Sequence, residues 1–404
     1  MVQTSINIGN ASIIGVERNG IRIFRGITYA TCERFSEAVK CGFGDGVTMA
    51  TDHGTVTPQR SCRLASVIGE EKGSVVDENR LCLSIYTPAG AKDLPVMVWI
   101  HGGSYVTGGS EEKRYSGERL VETGNLVVVK ISYRLGVFGY LWKPEEGIGN
   151  LGLKDQTTAL EWIQENISAF GGDPSKVTLF GQSAGGHSVA SLIATVGNRG
   201  LFSQAILQSP PLGMSLSEKA ATKNCRKFTR LLGKDPREAS LDELLDVQER
   251  MCRSKATMPF MPVIPDCTDV PSGTNIRVVA GYATEDVSPF LRKALGPLMP
   301  TAFGRSILHW ATGNVFRKPA EKYVAKLNDH GLCASLYRIS WAPKDSPLGA
   351  CHCIEMPFIL GFFEDWKDAL MLKGITREEY DRISEIFLRT WTGFANGTDF
   401  TQLP

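Results

Sequence analysis

Short, nearly unbroken apolar runs alternate with longer amphipathic stretches along most of the 404-residue chain. The apolar runs at 21–24, 81–86, 96–100, 126–131, 177–180, 204–207, 276–279 and 336–339 predict strands. Several are almost entirely Val, Ile and Leu, the composition of strands covered on both faces. Residues 155–168, 184–196 and 377–396 are long and amphipathic enough to form helices. Strands and helices in this alternation predict a twisted, mostly parallel central sheet flanked by helices, built as one domain over residues 1–404.

The stretch 211–273 breaks the pattern. It predicts a helix over about 218–232 and another after Ser240, which forms a capping box with Glu243. A Pro-rich connector, MPFMPVIPDC at 258–267, leads back to the next strand. An insertion of this kind is expected to pack as a helical cap over the end of the sheet where ligands bind.

Lys and Arg number 44 against 43 Asp and Glu, so the chain as a whole supplies no field for nucleic acid or an anionic membrane. No 18-residue apolar run predicts a membrane span, and residues 1–14 lack the basic and apolar pattern of a secretory signal. Ten cysteines with no CxxC pair read as buried thiols rather than a disulfide framework. Together these features predict a cytoplasmic protein. They leave its oligomeric state open.

The chemistry concentrates in four segments. GQSAG at 181–185 stands between the strand VTLF and an apolar helix, the setting of a nucleophile elbow, and marks Ser183 as the nucleophile. HGGS at 101–104 directly follows the strand PVMVWI, where an oxyanion-binding loop belongs. The expected donors are the amides of Gly103, Ser104 and Ala184, with Gly102 supporting the loop.

A base should follow the serine and an acid along the chain. His187 lies one turn into the elbow helix, His309 within an apparent helix and His330 at a helix end. His352, in the loop KDSPLGACHCIE, is the best placed. The acid is expected after the strand IRVVA, where Glu285 and Asp286 are adjacent; composition does not choose between them. Cys351-His352-Cys353 supplies at most three metal ligands with no second cluster, so no metal and no organic cofactor is expected.

These residues sit within longer blocks. FRGITYA (24–30), LSIYTP (83–88), HGGSY (101–105), SYRLGVFGYL (132–141), NLGLKDQTTALEWIQENISAFGGDPSKVTLFGQSAGG (150–186) and GACHCIEMPFILG (349–361) resemble the type-B carboxylesterase and cholinesterase family over nearly the whole chain. The resemblance implies an α/β-hydrolase fold with a Ser-acid-His triad. It points to Asp286, aligned in GYATEDVSPF (281–290) where the family usually has glutamate, and to His352 in the segment G-x-x-H-x-x-E.

Departures from the family refine the expectation. Arg80 replaces a cysteine that would pair with Cys62, which fits a reducing compartment. Gln182 replaces an acid before the serine, and no choline-binding tryptophan loop is recognisable between 55 and 78, which argues against choline esters. The chain is short for the family, so the pocket should be open, with Tyr105, Gln182, Phe260, Met261 and Phe290 as candidate lining residues. The implied function is hydrolysis of a small, partly apolar carboxylic ester through an acyl-enzyme. Acyl transfer or lactone formation in secondary metabolism by the same triad is the alternative, and a non-catalytic binding protein on this fold the remote one.

Overall fold

The computed structural model describes residues 2–401 and 403, except 61, 63, 70–72, 215, 254–257, 265 and 300. Its principal strands are β1 (Val2–Ile8), β2 (Ala11–Arg18), β3 (Ile21–Thr31), β4 (Arg80–Pro88), β5 (Leu94–Ile100), β6 (Val127–Ile131), β7 (Gly172–Gln182), β8 (Gln204–Gln208), β9 (Arg277–Ala283) and β10 (Cys333–Ile339). They lie side by side in the order β1-β2-β3-β4-β6-β5-β7-β8-β9-β10, with two short strands attached at the amino-terminal side. Pairing is antiparallel from β1 to β6 and parallel from there to β10.

Alternation along each central strand explains why the apolar runs are continuous. Val96, Val98 and Ile100 of β5, with Val127 and Val129 of β6, enter one core. Met97 and Trp99, with Val128, enter another on the opposite face. The first core is closed by α2 (Leu151–Asn166) and α3 (Ala184–Val196) through Leu160, Trp162, Val189 and Ile193. The second is closed by α1 (Glu118–Gly124) and α9 (Arg377–Ala395) through Leu120, Tyr380, Phe387 and Trp391.

All eight strands expected from the apolar runs are present, most of them longer at their ends. β1 and β2 were not expected. Their burial alternates rather than runs unbroken, since this edge of the sheet is half solvated. Asn19 and Gly20, both at positive φ, make the two-residue turn between β2 and β3, so the Asn-Gly pair was the available hairpin signal.

Within 211–273, α4 (Glu218–Leu232) and α5 (Leu241–Cys252) form as expected. The Ser240 hydroxyl accepts from the Glu243 amide at 3.2 Å, and the Glu243 carboxylate accepts from the Ser240 amide at 2.8 Å. The segment leaves the sheet after β8, at the carboxyl-terminal edge of the parallel strands. Phe228, Leu244, Phe260 and Met261 join the first core, and Gln248 Oε1 accepts from the Val137 amide at 2.7 Å.

One buried ion pair ties the loop after β6 to α2. Arg134 donates to both oxygens of Asp155, at 2.6 and 2.8 Å, and its own amide donates to Asp155 Oδ2 at 3.0 Å. Both side chains are almost fully shielded from solvent. Removing the acid strands a buried guanidinium. Asp155→Ala is therefore expected to cost about 3–5 kcal/mol in denaturant unfolding, whereas a change below about 1 kcal/mol would contradict this account.

Candidate active site

Ser183 sits at the junction of β7 and α3 with φ 58, in the left-handed region. The junction is tight enough to exclude side chains at its glycines. A Cβ on Gly181 would stand 2.6 Å from the Gly185 carbonyl and 2.9 Å from Ile100 O, and one on Gly185 would also collide with Ile100 O. The Ser183 amide donates to Gln208 O at 2.8 Å, and its carbonyl accepts from the His187 amide at 2.9 Å. The turn is thus tied both to the neighbouring strand β8 and to its own helix.

Asp286 follows β9 and His352 lies in the loop after β10, so both reach the same edge as Ser183. His352 Nδ1 and Asp286 Oδ1 are 2.6 Å apart, with both side chains buried. The second oxygen, Asp286 Oδ2, accepts from Ser209 Oγ at 2.7 Å and from the Ala283 amide at 2.9 Å. With Nδ1–H donating to the acid, Nε2 carries the lone pair; it lies 3.1 Å from Gln182 Nε2, which donates to it. Phe290 and Phe316 cover the ring, each with its centroid 5.2 Å away.

Geometry separates the two adjacent acids. Glu285 Oε2 accepts from Thr284 Oγ1 at 2.6 Å and from the Ala350 amide at 3.0 Å, while the Glu285 amide donates to Ala350 O at 2.9 Å. It clamps the base of the histidine loop, and Asp286 meets the imidazole.

The loop after β5 has three successive residues at positive φ: Gly103 (112), Ser104 (56) and Tyr105 (61). Gly103 O accepts from the amides of Val106 and Thr107 at 3.1 and 3.0 Å. This reversal brings Gly102, Gly103 and Ser104 to the wall of a cavity of about 320 Å³ that Ser183 and His352 also line. Ala184 opens α3, where first-turn amides lack intrahelical acceptors and the helix dipole favours negative charge.

Of the candidate lining residues, Gln182 and Phe290 line this cavity, and Tyr105, Phe260 and Met261 do not. Tyr105 is buried behind the loop, with its hydroxyl 2.7 Å from His187 Nδ1 and accepting from Ser188 Oγ at 3.2 Å. Phe260 packs edge-on against Phe228 in the core, with Met261 beside it in the same cluster. An apolar residue in a Pro-rich connector reads the same whether it faces a core or a pocket.

Much of the remaining wall comes from Gln59, Leu64, Ala65, Ile68, Ser74 and Val76, in a stretch whose pattern carried no motif. Burial holds the imidazoles of His187 and His101 neutral, pulling each down to about 4. His309 and His330 cap carbonyls on their own helices, those of Arg305 and Lys326. Burial also drives the Cys351 and Cys353 thiols well above their ordinary range. Among the described residues no disulfide forms and no cluster of three metal-ligating side chains occurs.

A family model described as the carboxylesterase family matches residues 2–288, and the chain belongs to that family. It is an enzyme of the carboxylic-ester hydrolase class with the α/β-hydrolase fold. A probable N-octanoylanthranilate hydrolase of Rhodococcus erythropolis is 33% identical, over 93% of this chain and 89% of its own. Para-nitrobenzyl esterase of Bacillus subtilis is 32% identical, over 94% of this chain and 87% of its own. The solved structure of a thermophilic PNB esterase superposes with a TM-score of 0.85 at 27% identity, covering 98% of this chain and 92% of that one.

One buried carboxyl group stands directly behind the site. Glu355 Oε1 accepts from Gln208 Nε2 at 3.0 Å, and Oε2 has no partner among the described residues. Burial pushes its carboxyl up from 4.5 to about 7. The fold therefore favours the protonated form, and the stability this contributes is present below pH 4.5 and lost as pH rises through 7. Glu355→Gln removes the titration. Its unfolding free energy should gain about 3 kcal/mol on wild type between those two pH values, and parallel pH profiles would refute the shift.

Proposed function

We propose that the protein hydrolyses small, partly apolar carboxylic esters through an acyl-enzyme on Ser183, with His352 as base and Asp286 as the acid that orients it. The observation carrying this reading is the Asp286–His352 contact at the rim of the cavity that Ser183 lines. Nδ1–H held by the acid leaves Nε2 free to act as a base. Gln182 occupies Nε2 at rest, so its amide must turn aside when Ser183 engages the ring.

In the first step Ser183 Oγ bonds to the substrate carbonyl carbon and its proton passes to His352 Nε2. The carbonyl oxygen, now negative, is received by the amides of Gly103, Ser104 and Ala184. Collapse expels the alcohol, which takes the proton from His352. Water then repeats the sequence and releases the acid. No step calls for a metal or cofactor.

Residues 1–404 are read here as one hydrolase domain with 211–273 as its helical cap. The ten cysteines, none in a disulfide among the described residues, support a reducing compartment.

With p-nitrophenyl butyrate, Ser183→Ala is expected to lower kcat by at least about 10⁴-fold and to abolish fluorophosphonate labelling. Retained labelling would place the nucleophile elsewhere. Asp286→Asn is expected to lower kcat by about 10³–10⁴-fold with the fold intact. Glu285→Gln, which keeps an oxygen for the Ala350 amide, should stay within about tenfold of wild type; the reverse order would exchange the roles of the two acids.

A further inference from the structure

Global charge balance conceals a local imbalance. Residues 288–318 contain Arg292, Lys293, Arg305, Arg317 and Lys318 and no Asp or Glu. All five basic side chains are on exposed residues. Outside the segment, Glu321 pairs with Arg317 at 3.9 Å, and Glu285, held by Thr284 and the Ala350 amide, lines a hollow beside Arg292 and Arg305.

The same segment carries every exposed Phe and Trp among the described residues: Phe290, Phe303 and Trp310, joined by Leu298 and Val315. It includes α6 (Ser288–Leu295), α7 (Ala302–Thr312) and the π-helical stretch Gly313–Arg317, which runs on into α8 (Lys318–Asp329). At 100° per residue, Gly304, Leu308 and Thr312 form the buried stripe of α7, while Phe303, Ile307 and Trp310 share a separate face. Phe303 is 66% and Trp310 71% exposed. A globular helix normally turns such residues inward. Here aromatic side chains face outward on a segment rich in Lys and Arg.

We propose that this surface docks the protein on anionic lipid. Exposed aromatic and aliphatic side chains on a segment that carries Lys and Arg and no acid of its own are the chemistry of an interfacial anchor. A second copy of the chain fits less well, because a two-fold interface would set five cations against five cations. The surface adjoins the catalytic cavity through Phe290, which lines it and packs on His352. Docking would therefore bring that cavity toward esters dissolved in the lipid, a consequence that rests on the hydrolase reading, whereas docking itself does not.

The test is sedimentation of the full chain with phosphatidylglycerol vesicles and, separately, phosphatidylcholine vesicles, at low and high salt. Wild type should sediment with the first at low salt, be released by high salt, and ignore the second. The double variants Phe303→Ser/Trp310→Ser and Arg292→Gln/Lys293→Gln should each lose at least about tenfold in partition. Turnover of a soluble chromogenic ester should be unchanged in both, which keeps failure of docking distinct from failure of the site. Absence of wild-type sedimentation with phosphatidylglycerol overturns the proposal, as does undiminished sedimentation of both variants. Conversion of a wild-type dimer to a monomer by Phe303→Ser/Trp310→Ser, read by size exclusion, also overturns it by making the patch a self-interface.

Discussion

The ends of β5 and β7 and the start of α3 meet with no room for a side-chain carbon at Gly181 or Gly185. That close approach forces Ser183 into a backbone region costing about 1–3 kcal/mol for a residue with a side chain. The cost is offset where the strands are best supported, since β7 pairs on both edges and its residues feed both cores. Ser183 rises from this turn beside the reversed loop of Gly103 and Ser104. A looser junction would separate the serine from Gly102, Gly103 and Ser104, which line the same cavity.

The acid and the histidine depend on a second contact, between the ends of β9 and β10. Parallel pairing brings both strands to one edge, but it does not determine how far the loops beyond them diverge. Glu285 closes that gap through the Ala350 backbone, and Ser209, from the end of β8, fixes the far oxygen of Asp286. With the loops so held, the short aspartate side chain reaches His352 Nδ1 at 2.6 Å.

The elements legible in the sequence were those whose environment is uniform along the run. The unbroken apolar run Val96–Ile100 in β5 and the valines of β6 report two covered faces, and the glycines of 181–185 report a steric limit. The half-solvated β1 and β2 left only alternation and the Asn19-Gly20 turn. Side-chain direction was the least legible property. Tyr105 is next to Ser104 in the chain yet turns away to His187, and Phe260 and Met261 serve the core. The cavity wall formed by Gln59, Leu64, Ala65, Ile68, Ser74 and Val76 comes from a stretch with neither periodicity nor motif, so only the fold reveals it.

The order of the strands has a bearing on how the molecule opens. β1 and β2 form the outer hairpin, and β3, β4, β6 and β5 stand between them and β7. Local opening at this edge breaks hydrogen bonds without touching the elbow, so amide exchange should be fastest in residues 2–18 and slowest around the strand that carries Ser183. The amino-terminal edge can consequently tolerate fusion or trimming that the centre cannot.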